Sequence, residues 1–326
     1  MKILVIGFGS IAKRHIKNLL KLSNIEILVC TKQINFGDFK NQCKFFNKLN
    51  DAIKENPDAA IVANNTSEHV KTAIELSKSN IDLFIEKPLS NNTLGIKKLS
   101  KLIHEKKLIT MMGCNLRFHE NIVAIKNLID KKSIGKIISV QAESGSYLPD
   151  WHPNENYKKN YSAREDLGGG VVLTCIHEID YLYWFFGDVR NIFSITGQYG
   201  NLNITSEDTS AIVIQFQNGI VGELHLDYVQ KPPIRKCKLI GTKGQIYWNS
   251  DSNTVKLFDF KKNRWIQKSK IKTYDRNIMY RKELLHFIQC IEKRKKTINP
   301  IEEGIKTMEI ALSVKNSSKL GRLIKI

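Results

Sequence analysis

The sequence has no long apolar run. The stretch that opens the chain, residues 3–6, is far too short for a signal-peptide core, and nothing later is long enough to span a bilayer. No membrane partner is expected, and the expected location is the cytoplasm. Cysteine is sparse and unpaired in pattern. Cys30, Cys43, Cys114, Cys175, Cys237 and Cys290 form no Cys-x-x-Cys motif, which argues against a zinc centre or a disulfide framework and suits a reducing compartment. No metal site is expected. Acidic residues are few: 32 Asp and Glu face 51 Lys and Arg, a net charge of +19. Such an excess is the footprint of a nucleic-acid binder, yet the lysines are spread over every segment and no nucleic-acid module accompanies them. Nucleic acid is therefore not an expected partner. The positive field favours anionic small molecules, such as phosphorylated cofactors and nucleotide-linked sugars, unless the lysines are compositional drift. Internal repeats and low-complexity linkers are also missing.

What is present suffices for two domains: 326 residues, 42% of them apolar. Up to about residue 118, strand-like runs (3–6, 26–30, 59–63, 82–85, 108–112) alternate with helical stretches (10–22, 67–78, 93–106). Ser67 and Thr93 are the expected N-caps of the last two. Alternation of this kind builds a doubly wound parallel sheet, whose ligands belong at the carboxyl ends of its strands. From residue 119 to 326 the pattern changes to one helix, then period-2 runs (136–147, 189–198, 209–216, 220–228, 235–241, 245–248). Asn218-Gly219 and Lys243-Gly244 mark turns among them, and two helices close the chain (276–294, 301–319). The fold class is α/β: a doubly wound domain over 1–118, then an α+β domain with an open, mainly antiparallel sheet over 119–326.

The first strand drops into Gly7-Phe8-Gly9-Ser10-Ile11-Ala12, the spacing of a dinucleotide phosphate loop. Gly7 permits the turn, Gly9 lets backbone approach a pyrophosphate, and Ala12 lets the helix sit close. The helix N-terminus at Ser10 and Ile11 would hold the phosphates. After the second strand comes Thr31-Lys32, where such folds present an acid to the adenosine ribose. A hydroxyl and a cation suit a 2′-phosphate, so NADP(H) is favoured over NAD(H), unless Lys32 is merely solvated. Asn64, Thr66 and His69 form a polar turn that either touches the cofactor or caps a helix.

Glu86-Lys87-Pro88 ends an apolar strand with two charges. Lys87 beside a nicotinamide can bind a substrate oxygen and relay its proton, while Glu86 hydrogen-bonds neighbouring backbone or holds Lys87, and Pro88 fixes the turn. Alternatively it is a surface lysine. Gly168-Gly169-Gly170 precedes a helix on which His177 and Asp180 share a face, suiting a general base and its supporting acid, Asp180 or Glu178. Tyr161 and Arg164, in the loop before the glycines, suit a sugar ring and an anionic group, or an oligomer contact.

Together, the Gly-Phe-Gly-Ser-Ile-Ala loop, Glu86-Lys87-Pro88 and the Gly168 to His177-x-x-Asp180 segment resemble the glucose-fructose oxidoreductase, inositol dehydrogenase and rhizopine catabolism family (Gfo/Idh/MocA) over essentially the whole chain. The resemblance implies a Rossmann domain and a substrate-binding domain whose open sheet serves oligomerisation, as a homodimer or homotetramer. It also implies a sugar or nucleotide-sugar oxidoreductase with Lys87 and His177 beside the nicotinamide. Thr174 stands where the family usually carries an aspartate, and the segment before His177 looks one residue short, as in a branch associated with surface-glycan synthesis. The missing aspartate keeps open a second reading, a dinucleotide-binding sensor or scaffold with impaired chemistry.

Overall fold

The computed structural model describes all 326 residues, which divide into two compact units. The first comprises residues 1–114 and 277–305, the second 115–276 and 306–326. The chain thus crosses between units at 114/115 and then twice more, where the sequence suggested a single crossing at 118/119.

In the first unit the elements run β1 (Lys2–Ile6), α1 (Ser10–Leu19), β2 (Glu26–Cys30), β3 (Lys44–Phe46), α2 (Leu49–Ile53), β4 (Ala59–Val62), α3 (His69–Lys78), β5 (Asp82–Glu86), α4 (Ile96–Lys106) and β6 (Thr110–Gly113). All six strands are parallel, in the order β3-β2-β1-β4-β5-β6. This is the doubly wound order with its switch between β1 and β4, beside the glycine turn. Helices cover both faces, so the central strands are apolar without alternation: Ile3, Leu4, Val5, all of β4, and Leu83, Phe84 and Ile85 are fully buried.

The expected caps are not used. A 3₁₀ turn, Thr66–Glu68, precedes α3, and Gly95, at φ +78°, precedes α4; neither helix start receives a side-chain hydrogen bond. The turn and the left-handed glycine set the chain direction that the hydroxyls were expected to set.

In the second unit, α5 (Glu120–Asp130) leads to β7 (Ile137–Gly145), and a long connection ends in α6 (Val171–Thr174) and α7 (His177–Phe186). Seven strands follow: β8 (Val189–Gly197), β9 (Thr209–Phe216), β10 (Val221–Asp227), β11 (Ile234–Gly241), β12 (Gly244–Asn249), β13 (Thr254–Asp259) and β14 (Arg264–Lys270). Then α8 (Asn277–Glu292) returns to the first unit. The first turn of α9 (Ile301–Leu320) belongs there too, and its remainder and β15 (Ile324–Lys325) belong to the second.

The nine-stranded sheet runs β14-β13-β12-β11-β7-β10-β9-β8-β15, antiparallel except where β7 and β10 pair in parallel. Gly219, at φ +87°, follows Asn218 in the β9–β10 turn, and the Asn218 side chain accepts the Ile220 N–H. Along β9 and β10, Ile212, Ile214, Leu224 and Leu226 are buried while Ala211, Val213 and Glu223 are exposed, the alternation of a sheet with one covered face. No helix in the chain is long and apolar enough to cross a membrane.

Candidate functional site

Gly7 sits at φ +101°, and a Cβ there would lie 2.6 Å from the Ala63 carbonyl oxygen. Only glycine fits that turn, which the Gly7 N–H fastens to the Cys30 carbonyl at 2.9 Å. Gly9 differs. Its φ is −74°, and no atom lies within 4 Å of the Cβ it lacks. It is the N-cap of α1, which has neither a side-chain cap nor an acid in its first turn. The leading N–H groups of a helix have no acceptor of their own, so this end carries a positive partial charge beside the open space at Gly9. This donor set fits a pyrophosphate. Ser10 is exposed, Ile11 half-buried, and Ala12 fully buried, which brings α1 down onto the sheet. Phe8 is buried edge-on among Phe36, Phe39 and Phe45, and so anchors the segment after β2 to the glycine turn. In that segment the Thr31 hydroxyl accepts the Gln33 N–H at 3.1 Å, and Lys32 is exposed.

The ends of β4 and β5 are tied together by His69. Its ring is buried, with Nδ1 2.8 Å from the Pro88 carbonyl and Nε2 3.0 Å from the Asn64 carbonyl. Burial lowers its pKa, the two backbone contacts opposing. The neutral ring has one N–H and donates it to one of these two carbonyls, so His69 braces the turn between the ends of β4 and β5. Thr66 is buried in the 3₁₀ turn before it, and the Asn64 amide donates to the Thr72 hydroxyl at 3.0 Å. Lys87 follows β5 half-buried, with a cis bond to Pro88. Its N–H donates to Glu86 Oε2 at 3.3 Å, while Glu86 Oε1 lies 2.6 Å from His15 Nε2 of α1. Glu86 thus meets the neighbouring backbone with one oxygen and α1 with the other.

In the second unit the glycine run packs against its own loop. A Cβ at Gly169 would lie 2.0 Å from the Tyr161 carbonyl oxygen; the Gly169 N–H donates to Arg164 O and the Gly170 N–H to Ser162 O. This close backbone approach fixes the 161–164 turn. Tyr161 is half-buried, and Arg164 is exposed and paired with Asp166.

His177 opens α7, is 8% exposed, and lies on the same buried face as Asp180. Asp180 was expected to support it. Instead both Asp180 oxygens are engaged by the buried Arg117, from Nε and from an amino group, each at 2.9 Å, and Thr307 adds a longer contact. An always-charged guanidinium with matching fork geometry outcompetes a histidine for a buried carboxylate. Glu178, also buried, pairs with Arg235 of β11 at 2.7 Å. Thr174, in place of an aspartate, is buried at the end of α6.

Sequence reasoning overlooked Arg117 and Arg235. A lone arginine in Asn-Leu-Arg-Phe, directly after a strand, was the available signal for the first; the second sits in an unremarkable strand.

Residues 1–114 match the family model described as "Oxidoreductase family, NAD-binding Rossmann fold", and residues 122–247 match "GFO/IDH/MocA C-terminal domain". A myo-inositol 2-dehydrogenase from Thermotoga maritima is 24% identical over 346 aligned positions, covering 100% of this chain and 98% of that protein. Among solved structures, myo-inositol 2-dehydrogenase from Lactobacillus plantarum has a TM-score of 0.84 at 21% identity, covering 100% and 99% of the two chains. The WlbA dehydrogenase from Bordetella pertussis, in complex with NADH and UDP-GlcNAcA, has a TM-score of 0.85 at 18% identity, covering 100% and 97%.

Proposed function

Since this chain belongs to the GFO/IDH/MocA oxidoreductase family, we propose that it interconverts a secondary alcohol and a ketone on a sugar or cyclitol ring, that of a nucleotide sugar in surface-glycan synthesis being the reading its positive charge favours. The carrying observation is the uncapped, acid-free N-terminus of α1 beside the open space at Gly9. When bound, a nicotinamide dinucleotide supplies the hydride acceptor or donor. Gly7 and Ala12 shape the seat, and the N–H groups from Ser10 onward take the phosphates. Thr31 and Lys32, in place of an acid, favour a 2′-phosphate, so NADPH binds more tightly than NADH. Asn64, Thr66 and Glu86 shape the turns on which the nicotinamide half rests.

Lys87 donates to the substrate oxygen and stabilises its negative charge, and His177 takes up or returns the hydroxyl proton. Asp180, locked to Arg117, fixes the helix that carries His177. Tyr161 and Arg164 contact the sugar and its anionic group. The named activities of the inositol dehydrogenases and the sugar nucleotide in the WlbA complex support a polyhydroxylated ring substrate. The net charge of +19 suits an anionic one.

Lys87→Met tests the reading. Against a panel of inositols and UDP-sugars, turnover should fall about 10²–10⁴-fold while NADPH affinity by fluorescence titration stays nearly unchanged. Retained turnover would remove Lys87 from the chemistry. In the wild-type titration, tighter binding of NADH than of NADPH would overturn the Lys32 argument alone.

A further inference from the structure

Behind Lys87, inside the first unit, three titratable side chains from three elements meet without solvent. They are His15 of α1, Glu86 at the end of β5 and Glu283 of α8, with exposures of 0%, 6% and 0%. One ligand-type atom from each lies within 4.8 Å of the other two. Two carboxylates this close and this dry cannot both be ionised, because neither water nor a full set of donors compensates the second charge.

The donors decide which one carries the charge. Glu86 has the Lys87 N–H at Oε2 and the His15 ring 2.6 Å from Oε1, a donor when Nε2 carries the ring proton, whereas neither oxygen of Glu283 has any hydrogen-bond partner. Glu86 is also fixed in place: a Cβ at Gly113 would be 3.0 Å from its carboxyl carbon, so the group lies flat on that glycine. Glu283 is walled by its own helix neighbours, Tyr280 and Phe287, whose rings pack edge-on against His15 and Phe84.

We propose that Glu283 is a positioning residue for Lys87: a neutral carboxylic acid whose proton faces the Glu86 carboxylate, directly or through one water, and so fixes the turn that presents the lysine. The inference rests on the proposed role of Lys87. Burial and the Glu86 charge both push the Glu283 pKa well above the ordinary carboxylate range, in agreement with the geometry. The titratable and charged groups around it are His15 of α1, with Arg14 stacked over the Tyr280 ring, and Glu86 of β5; β6, Thr110–Gly113, contributes none.

The linkage has a definite sign. A pKa raised in the folded state gives stability that is complete below the unfolded-state value and is lost as pH rises toward the folded-state value. Glu283→Gln, which keeps the shape and a donor but cannot ionise, removes that loss. Thermal unfolding of the full chain at pH 5.5–8.5 should therefore show the variant gaining on wild type as pH rises, by about 3 °C per pH unit within the titration window.

The second readout is the acetylation rate of Lys87 by acetic anhydride, followed by peptide mass spectrometry. It should stay within about twofold in Glu283→Gln and change by about fivefold or more in Glu283→Leu, which supplies no donor to Glu86. If the leucine variant does not fold, Glu283→Asp, which withdraws the acid by one methylene, takes its place with the same expectation. A Tm difference between wild type and Glu283→Gln that is constant with pH would overturn the neutral acid. An unchanged Lys87 rate in Glu283→Leu or its replacement would overturn the positioning role. A stoichiometric divalent cation in the purified protein, with a Tm lowered by EDTA, would make the cluster a metal site instead. Neither main readout uses a substrate, so failure of the dehydrogenase reading would leave both intact and be seen separately in the Lys87→Met assay.

Discussion

A methyl group added at Gly7 and one added at Gly9 meet opposite surroundings, and the contrast separates folding from binding. At Gly7 it collides with the Ala63 carbonyl on a backbone of positive φ, so Gly7→Ala should cost about 1–3 kcal/mol or more and lower Tm along with dinucleotide affinity. At Gly9 it enters open space on an ordinary backbone, so Gly9→Ala should unfold within about 0.5 kcal/mol of wild type. Its NADPH affinity should nonetheless drop at least about tenfold, because the methyl stands where a phosphate must approach. Equal affinities in wild type and Gly9→Ala would place the phosphates elsewhere. The same scale shows what the residues disclosed unaided. The glycine spacing after an apolar strand and the charges at residues 86–87 were legible because each violates what packing alone would choose. The inward turn of His69 was not, since its partners are carbonyl oxygens, which every residue carries.

Between elements, the Arg117–Asp180 pair fastens α7 to the 3₁₀ turn at 115–118. Both side chains are fully buried, so removing one leaves the other charged and dry. Arg117→Met should destabilise the protein by about 3–5 kcal/mol, measured by urea unfolding, and adding Asp180→Leu should recover most of that loss. Additive losses in the double variant would mean that the two charges do not act as a pair. This tie was hidden from sequence reasoning by a separation of 63 residues, whereas the histidine three positions away offered itself as the local partner. The outer strands were obscured differently. In β13, Val255 and Leu257 alternate with exposed Lys256 over only a short stretch, and in β14, Lys268 and Lys270 leave no buried alternation to read. On β14, at the sheet edge, lysines also discourage pairing with a second sheet.

For the whole molecule, the uncovered face of the nine-stranded sheet sets the expectation. Phe193, Ile195, Val213 and Val221 stand 39–55% exposed on neighbouring strands, with Phe193 directly opposite Val213. Phe193, Ile195 and Val213 form an exposed apolar cluster, with Val221 beyond Gln215 and Glu223; such clusters mark association surfaces, and we propose that this one joins copies of this chain into a homodimer or homotetramer. Ile195→Glu with Val213→Glu should shift the mass measured by light scattering to that of a monomer while leaving the fold by circular dichroism intact. A wild-type monomer, or an unchanged assembly in the double variant, would refute the assignment of this face. Sequence alternation disclosed an open, mainly antiparallel sheet. It could not disclose that residues 277–305 belong with the first unit, because long-range return of a helix leaves no local periodicity.

That return governs the order in which the chain can mature on the ribosome. The strands of the first unit are all translated by residue 113, but α8, which closes the wall over His15 and Phe84, is not complete until residue 292. At synthesis rates of about 5–20 residues per second, the nascent sheet waits roughly 10–40 s with that flank bare. A fragment ending near residue 118 would keep it bare permanently. The apolar surface awaiting α8 is then a temporary chaperone target, and the dinucleotide-binding half of the molecule, although it begins first, is among the last parts to be finished.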